Sequence, residues 1–491
     1  MNHTKVWDRA ASRSHADTNS LLFEFPQFRN LEGSVGYHGR TQGRLHLAHA
    51  LIADIGRRFG SHGASAARSH RRRWKQEYFM TRFPASRGTS GSKVRLIFCG
   101  YMVGAALEAM DFLLFPLVAS TLVSLWRLRP STTGGITSAT LLCSSVGSLL
   151  AGYASERFGG RRTMQLALLL LSAGSLLAAC AQNAIQLLAF RALLGFGFGI
   201  DAVVAAAALR DALGSKDRER AAEFYQGFHA AGWILALAVQ ALAYSLFRPH
   251  IAWRLMFAVG VTPALIIFFI RQNIAELAVA VSPRRSATVS SGRKVFLQDS
   301  SATVAAFLLT AAAQGSFYAL MTWLPQFLRT ERHISVLCSI PYLLALTGGC
   351  LCGYVFGGWF SIQFGRWRTL AVSALMASVT VVIYIKMPLG DQLREALGLP
   401  LGCFAAACYP ALIGTLNQLL AARTRRVDFT YHVGRAFGAC FPLAGGVLSA
   451  RIEVGNAIII LVAAGSLILI IPTLWKTRGM PRFVMLARRR D

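Results

Sequence analysis

The chain has 491 residues, 54% of them apolar and only 15% charged, a balance that excludes an ordinary soluble protein and points to the bilayer as its solvent. A formal charge of +29 suggests nucleic acid, but the basic residues sit in a tail and in short loops between apolar runs, as membrane topology requires. The nine cysteines lie in or beside those runs without zinc-site spacing, and Cys350 and Cys352 are too close for a redox pair. They read as small core residues, so no metal or other cofactor is expected.

Residues 1–95 carry 17 Lys/Arg against 6 Asp/Glu and lack both a sustained apolar run and the layout of a signal peptide. They read as a basic, disordered N-terminal extension, or as an in-frame stretch ahead of a start at Met80. The Arg71–Arg73 cluster would suit anionic lipid or nucleic acid. Twelve spans follow, at 97–125, 135–154, 163–181, 186–209, 221–247, 252–271, 300–328, 335–358, 369–387, 399–421, 429–450 and 454–475. Each is long enough to cross a core of about 30 Å as a helix, and lipid requires helices because it cannot satisfy open backbone groups. With both termini in the cytosol, the inner loops hold 17 Lys/Arg and the outer loops eight, which fixes that orientation.

The expected organisation is an N-terminal six-helix bundle over 96–271, a cytoplasmic linker over 272–299, a C-terminal bundle over 300–475 and a basic tail over 476–491. A shift of 206 residues carries Gly152 to Gly358, Gly159 to Gly365, Arg220 to Arg426, Tyr225 to Tyr431 and Gly232 to Gly438. One offset holding in separate regions indicates an internal duplication, the pattern of transporters that bind cargo between two repeats near the midplane. The fold class is therefore all-α integral membrane, with twelve transmembrane helices in two pseudo-symmetric six-helix bundles.

The loop after the second span reads Gly152, three residues, Glu156, Arg157, one residue, Gly159, Gly160, Arg161, Arg162. With its copy at Gly358 to Arg368, it resembles the signature of the major facilitator superfamily. Glycines let helix ends approach, arginines hold the loop in the cytosol, and an acid can pair with the other bundle. The family role of this loop is an inner gate, which implies gating parts for Gly152, Glu156, Arg157, Gly159, Arg161 and Arg162. Glu156 stands where aspartate is commoner, and Gly160 takes a usually basic place. The copy keeps Gly365, Arg366 and Arg368 but has Ile362 and Gln363 at the acid and base positions, so its lock is expected to be weaker. Glu108 to Phe112, Arg191 to Gly199, Trp253-Arg254 and Gly434-Arg435 with Pro442 resemble, more narrowly, the proton symporters of organic acids. That resemblance spans about 96–478 and does not carry a substrate with it. Where relatives often place an acid in helix 10, this chain has Asn417 and Gln418.

Ionisable residues inside a span need a polar cavity or a partner. Asp111 lies mid-span three residues after Glu108, nearly on one helical face. It is read as the proton site with Glu108 as modulator, or as a packing aspartate satisfied by a hydroxyl or an arginine. Arg435 is read as a fork for a substrate carboxylate or a coupling partner for an acid, with a structural ion pair as the alternative. Gly434 beside it is expected to leave room for a ligand. Asp201, His229, Gln226, Gln314, Tyr318 and Tyr431 are further candidates for the binding site, each with packing as its alternative. Asp211 and Arg220 are assigned to the inner gate by the family resemblance, with a solvated helix end as the alternative. Gly195, Gly197 and Gly199 lack the flanks of a phosphate loop and read as helix-packing glycines.

The expected activity is proton symport of a small organic anion by alternating access, in a bacterial inner membrane and as a monomer. The bilayer, the cargo and protons are the expected partners, and nucleic acid is not. An exporter of the same fold and a non-transporting membrane sensor are the rivals. No nucleophile elbow, metal cluster or nucleotide loop suggests an enzyme.

Overall fold

A computed structural model of the chain describes residues 91–212, 215–261, 300–420 and 424–477. Residues 1–90 of the expected N-terminal extension, the linker and residues 478–491 of the expected tail lie outside them. Among the described residues thirteen α-helices form and no strand: α1 Gly91–Trp126, α2 Pro130–Phe158, α3 Gly160–Cys180, α4 Ala184–Ala212, α5 Ser215–Leu246, α6 Pro249–Val259, α7 Ser300–Thr330, α8 Ile340–Gln363, α9 Arg366–Lys386, α10 Asp391–Leu419, α11 Thr424–Gly438, α12 Cys440–Leu448 and α13 Val454–Thr477. Pro130 and Pro249 open α2 and α6, where the first N–H has no helical acceptor to lose.

Ten of these helices are long and apolar enough to span a bilayer. The two other expected spans are accounted for locally. The sixth passes out of the described residues after 261. The eleventh, expected at 429–450, is interrupted at Ala439, because Pro442 cannot donate to the carbonyl four residues back and its ring crowds that carbonyl.

The 206-residue offset reappears in the backbone. Gly159 ends α2 and opens α3 at φ 81°, and Gly365 joins α8 to α9 at φ 90°, a region glycine enters without steric cost. After each of them a threonine turns back on the glycine carbonyl: Thr163 Oγ1 donates to Gly159 O at 3.0 Å and Thr369 Oγ1 to Gly365 O at 3.1 Å. Helix pairings repeat too. In the first half α2 and α3 pack on α4 and α1 on α5; in the second, α8 and α9 pack on α10 and α7 on α11. Between the halves α2 packs on α11 and α12, and α5 on α8, as a two-fold relation demands. Phe112 and Tyr318, themselves 206 residues apart, meet with ring centroids 6.2 Å apart, which places the pseudo-two-fold axis between them.

Close helix approach explains the glycines. A Cβ on Gly195 would lie 2.1 Å from Thr140 O, and one on Gly199 1.8 Å from Ser144 O, both on α2. Gly197 faces the other way, where a Cβ would lie 2.7 Å from Ala167 O of α3. Gly147 and Gly353, again 206 apart, make matching approaches to the carbonyls of Phe196 and Cys403. Gly199→Ala is expected to cost about 1–3 kcal/mol by overpacking, seen as a lower unfolding temperature in detergent. Gly348→Ala, where nothing lies within 4 Å of an added Cβ, is expected to leave that temperature unchanged or raise it slightly.

Candidate functional site

The first polar centre lies inside the N-terminal half. Pro116 interrupts the hydrogen bonding of α1 and leaves the carbonyl of Phe112, four residues earlier, without its helical donor. Arg191 of α4 fills the gap. Its Nη2 donates to Phe112 O and its Nη1 to Asp111 O, both at 3.2 Å. The guanidinium is 1% exposed and lies between the rings of Phe115 and Phe257, 5.9 and 5.6 Å from their centroids. The Asp111 carboxylate is buried beside it, with Oδ1 3.9 Å from Arg191 Nη1 and accepting from Ser175 Oγ at 3.0 Å. Ser175 Oγ also reaches Phe257 O at 2.9 Å. Gly260 closes this side, since a Cβ there would lie 2.4 Å from both Asp111 Oδ1 and Ser175 Oγ. Arg191 is therefore anchored by two backbone carbonyls and two rings as well as by the Asp111 charge.

The second centre lies where the halves meet. Arg435 of α11 is 8% exposed. Its Nη2 donates to Ser144 Oγ of α2, across the interface, and its Cζ sits 5.8 Å from the centroid of the Phe198 ring. Phe198 in turn stacks on Phe112 at 6.4 Å. Among the described residues no carboxylate forms an ion pair with Arg435, and its buried Nε has no hydrogen-bond acceptor. A buried cation without an acid is costly, so this one is suited to receive an anion.

One helical turn away on the same face of α11, Tyr431 accepts a 2.6 Å hydrogen bond from Gln314 Nε2 of α7. Tyr409 of α10 donates to Gln314 Oε1 at 3.2 Å. Rings surround this triad: Phe317 meets Tyr409 and Trp233 at 5.4 Å each, and Tyr354 meets Tyr409 at 5.9 Å and Trp233 at 6.4 Å. Trp233 lies on α5 and the other three rings on α7, α8 and α10, so the cluster joins the halves.

Beyond Arg435 the interruption at Ala439 is held from both halves. The Leu443 N–H donates across the interface to Ser138 Oγ of α2 at 3.0 Å, and within the C-terminal half Trp323 Nε1 of α7 donates to Pro442 O at 3.0 Å. Gly134 and Gly446 allow the contact, since a Cβ on either would lie within 2.4 Å of the Pro442 or Pro130 carbonyl.

The structure brings Arg435, Gln314, Tyr318 and Tyr431 of the expected site together around the axis. Glu108 and Asp201 are buried in α1 and α4, and His229 is half-buried in α5. The side chains of Gln226, Asp211 and Arg220 lie outside the described residues. Gly434 corrects an expectation: a Cβ there would lie 2.6 Å from Thr310 Cβ, so this glycine lets α11 pack on α7 and leaves no room for a ligand. In the loops, Gly152 is buried and Glu156, Arg157, Arg161 and Arg162 are exposed. Arg157 Nη1 donates to Tyr153 Oη at 2.9 Å. Arg366 instead ties its helix to α10, with Nη1 donating to Gly414 O at 2.9 Å. Ser144, Phe198, Tyr409 and the anchoring role of Arg191 are additions to the sequence reading. Only Arg191 had a signal there, in Pro116 and the carbonyl it frees.

Arg191→Lys keeps the charge beside Asp111 but loses the two-carbonyl fork, and is expected to lower stability by about 1–3 kcal/mol through a buried carbonyl left open. Combining it with Pro116→Ala, which restores an N–H for Phe112 O, is expected to recover part of that loss in thermal unfolding. Equal losses in both backgrounds would contradict the assignment.

Comparison with known proteins agrees with this architecture. The family model for the Major Facilitator Superfamily matches residues 97–438. A probable 4-methylmuconolactone transporter of Cupriavidus pinatubonensis is 32% identical over 77% of this chain and 89% of its own length. A cis,cis-muconate transport protein of Acinetobacter baylyi is 22% identical over 79% of this chain and 95% of its own. Among solved structures, a partially occluded inward open form of the xylose transporter XylE from E. coli has a TM-score of 0.60 at 15% identity, covering 80% of this chain and 98% of that one, a likeness of fold. The repeated helix pairings, the paired glycine turns and the family match over 97–438 lead to one conclusion: the chain belongs to the Major Facilitator Superfamily.

Proposed function

We propose that this transporter is a proton symporter that imports a small carboxylated metabolite, with Arg435 as the seat of the substrate carboxylate. The observation that carries the reading is the buried Arg435 guanidinium at the junction of the halves, bound to a serine hydroxyl and to no acid among the described residues. A carboxylate there replaces a neutral partner with a charged one and makes two parallel hydrogen bonds with the fork. Relatives named for 4-methylmuconolactone and cis,cis-muconate support an organic acid as cargo. In this reading the protein acts as a monomer in a bacterial inner membrane, with both termini in the cytosol, which the loop charges support.

Asp111 is the proton-carrying group in this reading, with Glu108 one turn away as its modulator. Because Arg191 is held by backbone carbonyls and rings, Asp111 can gain or lose a proton without releasing the arginine. Ser175 supports both states, since a hydroxyl both donates and accepts. The next residue, Phe112, stacks on Phe198, the ring beneath Arg435. The state of the carboxylate is thereby linked by packing to the anion seat. Alternating access then rocks one half against the other, with the α2–α12 contact as the outer seam and the loop from Gly152 to Arg162 as the stronger inner lock. Gly365 and Arg366 belong to the weaker copy.

The test is uptake of radiolabelled benzoate and 4-hydroxybenzoate by proteoliposomes under an imposed inward proton gradient. Wild-type protein is expected to concentrate at least one of them and to lose that concentration when a protonophore is added. Asp111→Asn is expected to equilibrate the acid without concentrating it. Concentrative uptake by that variant would overturn the coupling assignment.

A further inference from the structure

We infer that the site is built for a monoanion carrying a neutral hydrogen-bonding group, with Tyr431, held by Gln314, as the residue that reads that second group. The inference rests on the proposed role of Arg435 and adds what lies one turn from it. Tyr431 and Arg435 are four residues apart on α11, so their side chains leave the same face about 5–6 Å apart. Tyr431 is half-buried, and its oxygen accepts the short bond from Gln314 Nε2. Gln314 also accepts from Tyr409, so its amide bridges the two phenols. The phenolic proton of Tyr431 has no acceptor among the described residues, so it is the donor left for a ligand oxygen.

Charge decides what that ligand oxygen is. Arg435 answers one carboxylate, and the triad of Gln314, Tyr409 and Tyr431 is formally neutral. A second carboxylate placed there would be buried among Phe317, Tyr354 and Trp233 without a compensating cation, which is strongly unfavourable. A hydroxyl, lactone or ring carbonyl can accept from Tyr431 without that penalty.

Benzoate and two para-substituted relatives, 4-hydroxybenzoate and terephthalate, test this by direct binding to the purified full-length protein. Wild-type protein is expected to bind 4-hydroxybenzoate about three- to tenfold more tightly than benzoate, the worth of one hydrogen bond, and terephthalate more weakly than either. Tyr431→Phe keeps the ring and removes the donor, and should bring the ratio of 4-hydroxybenzoate to benzoate affinity near one; Gln314→Leu should do the same by releasing the phenol. Arg435→Gln should weaken all three. If Arg435→Gln weakens all three but the wild-type ranking is flat, if terephthalate binds as tightly as 4-hydroxybenzoate, or if Tyr431→Phe and Gln314→Leu leave the ratio unchanged, this inference fails while the anion seat stands. If Arg435→Gln changes nothing, or wild-type protein binds none of the three, the anion seat fails and this inference with it.

Discussion

A guanidinium buried between two helix bundles, with no acid paired to it among the described residues, is the constraint around which the rest is arranged. Arg435 reaches across the junction to Ser144. Ser144 can stand there because α4 approaches α2 so closely at Gly199 that a methyl group would collide with the Ser144 carbonyl. The same approach sets Phe198 beneath the charge. On the other side, Gly434 and Gly438 bring α11 onto α7, and this brings Tyr431 to Gln314. Small residues therefore determine where the polar ones can act, as expected where lipid supplies no hydrophobic drive for helices to associate.

Two buried arginines illustrate how context assigns a job. Two carbonyls, two rings and a nearby carboxylate surround Arg191, although among the described residues its Nε, like that of Arg435, has no acceptor. Its position follows from a proline in a neighbouring helix, so it is a structural cation that also faces an acid. Among the described residues Arg435 has one hydrogen-bond partner, a neutral hydroxyl, and no acid. Of the two, only the second gains much by meeting an anion, and it is the one at the axis between the halves.

Much of the fold was legible in the sequence because the bilayer fixes span length and the positive residues mark the loops. The 206-residue offset was legible from a few glycines, and the backbone repeats it at Gly159 and Gly365. Arg435, Gln314, Tyr318 and Tyr431 were legible as polar groups inside apolar runs. Ser144 and Phe198 were not, since a lipid-facing side and a packed side are both apolar and no periodicity separates them. Gly434 was misread for the same reason: next to an arginine it looked like space for a ligand, whereas its missing side chain accommodates Thr310. The break at Ala439 had a signal in Pro442, but its ties to Trp323 in the same half and to Ser138 in the other arise only in the folded structure.

The account depends most on the claim that Arg435 takes the carboxylate of the cargo. The most direct measurement compares binding of benzoate with binding of benzamide, which has the same shape without the charge, in wild-type protein and in Arg435→Lys. The account predicts that wild-type protein strongly prefers benzoate and that the lysine variant, keeping the charge but losing the fork, retains only a small part of that preference. Equal binding of the acid and the amide by wild-type protein would contradict it.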